Sequence, residues 1–89
     1  MIDVELFGMA RALAGRSHVT LPLADADYRE FVRALAEALP QLVPDVITPT
    51  RDDFVEPNLL LLDGRRAARD GERFGAADRP CVLFLASGG

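Results

Sequence analysis

The residues of this chain best suited to chemistry are the glycines at its end, Gly88 and Gly89. Two terminal glycines arise by chance in about one chain in 200, so the pair alone decides little. Its place directly after an apolar strand pattern decides more. Lacking side chains, the two can thread a narrow channel and take backbone angles closed to other residues. The four residues Ala86, Ser87, Gly88 and Gly89 span about 13 Å when extended. A segment of this kind can deliver a terminal carboxylate into the active site of another protein. A carboxylate is a poor electrophile and needs activation, most simply as an acyl adenylate formed from ATP. A sulfur nucleophile can then displace AMP and leave a thiocarboxylate, which is mostly ionised at neutral pH and whose soft sulfur is a good donor. A side chain on Gly89, or any residue after it, is expected to block this chemistry.

The other reactive side chains fall away one by one. Ser17, Thr20, Thr48, Thr50, Ser87 and Cys81 become nucleophiles only beside a base. The one histidine, His18, reads as a solvent-facing strand residue. The one cysteine, Cys81, lies in an apolar run, where a free thiol behaves as a small hydrophobe. It has no partner for a disulfide, and with His18 alone it makes no metal site. Asp52-Asp53 lacks metal-ligand spacing and reads as a solvated loop, and no glycine-rich phosphate loop occurs. The expectation is a protein with no metal, no bound cofactor and no self-contained active site.

Length and charge narrow the partners. Eighty-nine residues, 49% apolar and 27% charged, make one soluble domain with a shallow core. The net charge of −4 argues against a nucleic-acid backbone as ligand. No apolar run approaches the ~20 residues of a membrane span. Met1-Ile2-Asp3-Val4-Glu5 carries acids where a signal peptide carries a basic stretch, so a cytoplasmic location is expected. All 10 cationic residues are arginine, so no lysine of this chain can accept an isopeptide bond.

The elements that must carry the tail can be read in order. Ile2, Val4 and Leu6 alternate with Asp3 and Glu5 as in a half-buried strand. Gly8 to Gly15 is Ala-rich and bounded by glycines, a loop or one to two helical turns. Val19, Leu21 and Leu23 alternate again, and Pro22 places that strand at an edge. Asp27 and Glu30 have the spacing of a capping box. Tyr28, Phe31, Val32, Leu35 and Leu39 then form one helical stripe, which Pro40 ends. The segment 40–57 holds four prolines and reads as a long irregular connection. Leu59 to Leu62 is an apolar run closed by Asp63-Gly64, a hairpin signal. A short strand at Arg66–Ala68 returns, a turn at Asp70-Gly71 leads into a loop, and Cys81 to Leu85 is the last strand. A first hairpin and a last strand around one packed helix is the β-grasp arrangement. The expected fold is therefore α+β, a mixed sheet of four to five strands packed on one main helix, with residues 1–85 as the domain and 86–89 as a flexible, extended tail. The first and last strands are expected side by side and parallel at the centre of the sheet.

On these residues the sequence resembles the sulfur-carrier family that includes the small subunit of molybdopterin synthase and the sulfur carrier of thiamine biosynthesis. Met1-Ile2-Asp3-Val4-Glu5-Leu6-Phe7 followed by Ala10-Arg11-Ala12-Leu13-Ala14-Gly15 is similar to the molybdopterin member's first strand and short helix, which the thiamine carrier typically lacks. Asp78 and the eleven residues after it match the family's last turn, last strand and Gly-Gly end without a gap. Ala77, Pro80 and Phe84-Leu85 depart from the usual glycine, valine and Pro-Pro. The resemblance implies that Gly89 carries the adenylate and then the thiocarboxylate, with Gly88 before it. It further implies a ubiquitin-activating-type adenylyltransferase using ATP as one partner and a synthase large subunit, in a hetero-oligomer, as the other. Ser87, Ala86, Leu85, Phe84, Phe7 and Arg11 are the expected partner-binding residues, Phe7 standing on the Asp3/Glu5 face with Phe84, Leu60 and Leu62 beside it. Arg65, Arg66 and Arg69 read as a solvated hairpin turn. Two alternatives stand beside this reading: a sulfur carrier for thiamine, cysteine or another pathway, and a ubiquitin-like interaction or protein-modifier domain.

Overall fold

The computed structural model describes residues 1–84. Strand β1 (Ile2–Leu6) buries Ile2, Val4 and Leu6 and exposes Asp3 and Glu5, the outcome its alternation dictates. It is followed by helix α1 (Gly8–Ala14), which ends on Gly15 in the left-handed conformation with its N–H bonded to the Arg11 carbonyl. Strand β2 (His18–Leu21) runs back antiparallel to β1, pairing Val4 with Val19 and Ile2 with Leu21. A short strand β3 (Asp25–Asp27) then leads into helix α2 (Tyr28–Ala38).

Helix α2 begins where its capping residues put it. The Glu30 backbone N–H donates to Asp27 Oδ1 at 2.9 Å, and the Asp27 N–H donates to Glu30 Oε1 at 3.1 Å. Two of the four donors a helix start leaves unpaired are thus satisfied reciprocally. The helix buries Tyr28, Phe31, Val32, Leu35 and Ala36 against the sheet. Leu39 caps the other end just before Pro40.

The connection after α2 is irregular but far from loose. It opens with a 3-10 turn at Pro40–Leu42. Leu42, Val46, Ile47 and Phe54 are all buried in the core. A β-bridge between Ile47 and Phe54 and a bond from the Val55 N–H to the Val46 carbonyl (2.8 Å) close it into a compact excursion. The Tyr28 hydroxyl donates to Asp53 Oδ1 at 2.8 Å, tying it to the start of α2. Burial, and then this carboxylate, push the Tyr28 phenol well above its ordinary range.

Strand β4 (Asn58–Leu62) turns through Asp63 and Gly64, both with positive φ, into the two-residue strand β5 (Arg66–Ala67). This is the hairpin geometry an Asp-Gly pair favours. Strand β6 (Arg73–Gly75), a 3-10 turn at Ala76–Asp78 and strand β7 (Cys81–Phe84) complete the described chain. The five-stranded sheet has the order β2-β1-β7-β4-β5, with β7 parallel to β1 and antiparallel to β4. This is the expected central pair, first strand beside last. The expected loop after Gly71 is partly a strand: β6 pairs with β3 in a separate two-stranded sheet. That ribbon carries Phe74 onto Phe31, ring centres 5.0 Å apart.

Ion pairs dress the surface: Arg29 with Asp70, Arg73 with Asp25 and Glu30, and Arg66 with Glu72. Their side chains are largely exposed, so they contribute little to stability. The turn arginines Arg65, Arg66 and Arg69 are solvent-facing, as expected.

Helix α2 is anchored chiefly by its apolar stripe, and the cap adds to this. Asp27→Ala is expected to lower unfolding free energy by about 1 kcal/mol, measured by urea denaturation. A change below a few tenths would mean that water replaces the cap at no cost.

Candidate functional site

The last described residue is Phe84, at the end of β7. On one side β4 starts at Asn58, directly opposite Phe84 in the antiparallel register. The residue before it, Pro57, has no N–H and cannot extend the ladder. On the other side β1 gives its last bond to β7 from the Phe7 N–H to the Val82 carbonyl (2.9 Å). Gly8, with φ of 60°, then turns the main chain away into α1. Among the described residues, the pairing of β7 reaches Val82 on the β1 edge and Phe84 on the β4 edge. Asn58 is buried, 4% exposed. Its Nδ2 donates to the Val55 carbonyl at 2.9 Å, and its Oδ1 has no partner among the described residues.

The sequence-derived site residues sort into three groups. Gly89, Gly88, Ser87, Ala86 and Leu85 lie outside the described residues, and with them the expected boundary between domain and tail. Phe7 stands on the outer face of the sheet, 43% exposed. Phe84 is comparably exposed, at 40%, but on the opposite face.

That placement follows from register. Residues directly opposite in a sheet share a face. Phe84 pairs with buried Asn58, and Leu60 pairs with buried Val82, so Phe84, Leu60 and Leu62 belong to the core side. The expectation that they stand beside Phe7 is therefore corrected. Leu60 and Leu62 are core residues, and Phe84 sits at the rim of that side against Gly8. The outer-face neighbours of Phe7 are instead the half-buried Leu59, Leu61 and Leu83, with Cys81 between Glu5 and Leu61. Sequence reasoning missed these three leucines because an unbroken apolar run carries no period-2 signal. Only the pairing of β4 with β7 assigns its faces. Arg11 lies on the exposed flank of α1, over a shallow depression shared with Gly8, Ala12, Arg16 and Ser17.

The remaining candidates match their bland readings. His18 is exposed on edge strand β2. Its Nδ1 lies 2.9 Å from the hydroxyl of its neighbour Ser17, an exposed contact between adjacent residues. No third side chain orients the ring among the described residues. Asp52 accepts from the hydroxyls of Thr50 (2.7 Å) and Thr48 (3.3 Å), which hold its carboxyl below the usual range. These contacts brace a turn. Among the described residues no group of three or more His, Cys, Asp or Glu side chains could hold a metal ion, and no helix is long and apolar enough to cross a membrane. Cys81 is 8% exposed, and burial, then the charge of Glu5, push its thiol above the ordinary value.

Two solved structures share this architecture. The crystal structure of SAMP1 from Haloferax volcanii superposes with a TM-score of 0.79 at 27% identity, covering 99% of this chain and 98% of that one. A crystal structure of H. volcanii small archaeal modifier protein 1 gives 0.78 at 24% identity, covering 96% and 97%. The fold is thus the ubiquitin-like β-grasp of small modifier and sulfur-carrier proteins. No protein-family model and no curated protein sequence matches the chain.

The raised thiol pKa has a direct consequence, since the thiolate is the reactive form. At pH 8 the folded protein is expected to react with iodoacetamide at least about tenfold more slowly than the urea-unfolded chain, followed by intact mass. Equal rates would mean that the outer face of the sheet does not shelter Cys81.

Proposed function

We propose that this protein is a sulfur carrier whose working group is the carboxylate of Gly89. The observation that carries the reading is the conjunction of a ubiquitin-like β-grasp fold with a sequence that has Gly88-Gly89 a few residues after the central strand of the sheet. An adenylating enzyme of the ubiquitin-activating type joins the Gly89 carboxylate to AMP from ATP, releasing pyrophosphate. Hydrosulfide attacks the acyl carbon, the C–O bond to AMP breaks, and AMP leaves. The thiocarboxylic acid loses its proton to solvent. The carrier then donates this sulfur to an acceptor held by a synthase large subunit. The protein is a covalent substrate and shuttle in this scheme, with no catalytic group of its own.

Within that role we favour the small subunit of molybdopterin synthase. The support is the presence of α1 between β1 and β2, the element by which the sequence resembles that member rather than the thiamine carrier. Phe7, Arg11 and Phe84 are the described residues proposed to meet partners. Phe7 and Phe84 serve from opposite faces of the same end of the sheet, and Leu85, Ala86 and Ser87 continue from there. A cytoplasmic setting, where ATP and the adenylating enzyme meet, goes with this reading.

A second reading has its own support. The similar proteins of H. volcanii include one described as a small archaeal modifier protein, and a modifier uses the same adenylated glycine but gives it to an amine. The two diverge at the nucleophile. The full-length chain, incubated with ATP, the host's adenylating enzyme and sulfide, is expected to gain the mass of one sulfur less one oxygen. Deleting Gly89 abolishes the gain and leaves the circular dichroism spectrum unchanged. Mass shifts on other proteins in place of the sulfur gain would establish the modifier reading. No adduct of either kind, with an enzyme shown to charge a known carrier, would remove both.

A further inference from the structure

Helix α1 turns the wrong side chains inward for a helix made only to pack. It lies on the body of the molecule through small residues: Ala10 is fully buried, and Ala14 packs half-buried against the core. Its two large apolar side chains, Met9 and Leu13, are 39% and 37% exposed. They stand four apart, one turn from each other on the same flank. A surface helix ordinarily sets its large apolar residues against the core. Apart from Met1, at the far end of β1, every large apolar side chain markedly exposed among the described residues gathers here. Phe7 directly precedes α1, and Phe84 stands against its first residue. Exposed apolar side chains gathered in this way and rimmed by polar groups mark a surface that another protein covers.

Charge says what kind of surface covers it. The chain carries 14 acidic residues, yet none lies between Glu5 and Asp25. That stretch holds Arg11, Arg16 and His18 instead. Arg11 and Leu13 flank the exposed Ala12, each turned about 100° to one side of it around the helix. A shallow depression runs along the arginine flank, lined by Gly8, Arg11, Ala12, Gly15, Arg16 and Ser17. Arg16 is held at its edge by the bond from its Nε to the His18 carbonyl, at 2.9 Å, which leaves its terminal nitrogens to a ligand. Among the described residues neither Arg11 nor Arg16 meets a carboxylate, whereas Arg29, Arg66, Arg73 and Arg79 all do. We infer that the exposed face of α1 is a docking surface for a partner-protein segment with apolar side chains along one edge and carboxylates along the other. The apolar edge seats on Met9 and Leu13, and the carboxylates on Arg11 and Arg16. A basic partner would be drawn instead to the rest of this acidic chain. The inference deepens the partner-binding part of the proposed carrier role, in which Arg11 already stands. It adds Met9, Leu13 and Arg16, and it names the chemistry of the surface that meets them.

The probe is a pair of synthetic helical peptides with the same leucine pattern, one carrying glutamate beside it and the other lysine. Titrated into the isotope-labelled full-length chain, the Leu/Glu peptide is expected to shift the amides of residues 8–17 and the Met9 methyl saturably. The Leu/Lys peptide is expected to leave them in place. Raising the salt from about 50 mM to about 500 mM is expected to weaken the Leu/Glu complex at least about threefold. Leu13→Ser is expected to weaken it about fivefold at either salt. Arg11→Glu combined with Arg16→Glu is expected to lose the Leu/Glu peptide and take the Leu/Lys one. Arg33→Glu, a charge change of the same kind on α2, is expected to match wild type. With the adenylating enzyme and the synthase large subunit, Leu13→Ser is expected to raise KM for the carrier with at least one of them, kcat staying within about twofold. Equal binding of the two peptides, shifts centred away from α1, saturation by neither peptide, or unchanged KM with both partners overturns the inference. Should the wild-type chain take no sulfur and form no conjugate, the carrier reading falls, and the peptide titration alone decides the docking surface.

Discussion

The parallel pairing of the first strand with the last organises this molecule. Glu5 lies beside Cys81 and Leu6 beside Val82, joined through the Glu5 N–H to the Pro80 carbonyl at 3.2 Å and the Phe7 N–H to the Val82 carbonyl at 2.9 Å. Two parallel neighbours cannot be joined by a tight turn, so everything between them must form the crossover. Helix α2 lies across one face and buries Phe31, Val32 and Leu35 over the pair. The excursion from Pro40 to Pro57 returns the chain to the far side, where β4 can flank β7. The same pairing makes β7 the middle strand of five. It is flanked by β1 as far as Val82 and by β4 as far as Phe84.

That arrangement gives the two faces of the sheet different work. The core face is continuous: Ile2, Val4, Leu6, Leu21, Leu60, Leu62 and Val82 are all buried in one core with the apolar stripe of α2. The outer face has no helix over it. Charged Asp3 and Glu5 share it with Phe7, Leu59, Leu61, Leu83 and Cys81. The leucines are half-buried by one another, leaving Phe7 as the one strongly exposed large apolar side chain of the strip among the described residues. The exposed Phe84 belongs to the other face. A partner that reads both aromatics has to reach around the end of the sheet from which the chain departs, and a partner that reads only one is restricted to one face. Two binding modes on one end are thus geometrically available to the proposed succession of adenylating enzyme and synthase.

Legibility in the sequence followed the physics of each signal. Strand β1 and helix α2 were readable because each buries one face and solvates the other, so its period survives in the residue order. The α2 start was readable because Asp27 and Glu30 must be three apart to satisfy each other. The turn at Asp63-Gly64 was readable because two consecutive positive φ angles favour that pair. What escaped reading was tertiary. Strands β3 and β6 are three residues each, too short to show a period, and exist because they find each other. The buried Val46, Ile47 and Phe54 sit in a proline-rich segment whose composition suggests loop, yet they complete the core. The faces of Leu59 to Leu62 depended on a register that no local pattern encodes. The reading of Gly88 and Gly89 rests on residue type alone, and both lie outside the described residues.

Size ties these points together. A domain of 89 residues has one shallow core, and here that core is filled from both sheets, both helices and the proline-rich excursion. A catalytic pocket would have to be cut from the same apolar volume, at a cost in burial that so small a domain tolerates poorly. Placing the proposed reacting group beyond the last strand would remove that conflict, because the proposed chemistry depends on a partner's pocket and the domain contributes only recognition and aim. Aim is the more demanding of the two. In the proposed role recognition is spread over Phe7, Phe84 and Arg11, where loss of one contact is partly offset by the rest. A terminal carboxylate is a single point, which in the proposed role a partner's channel has to receive. In the proposed role the domain and the reacting group thus make separate demands on the chain, burial on the one and an open terminus on the other.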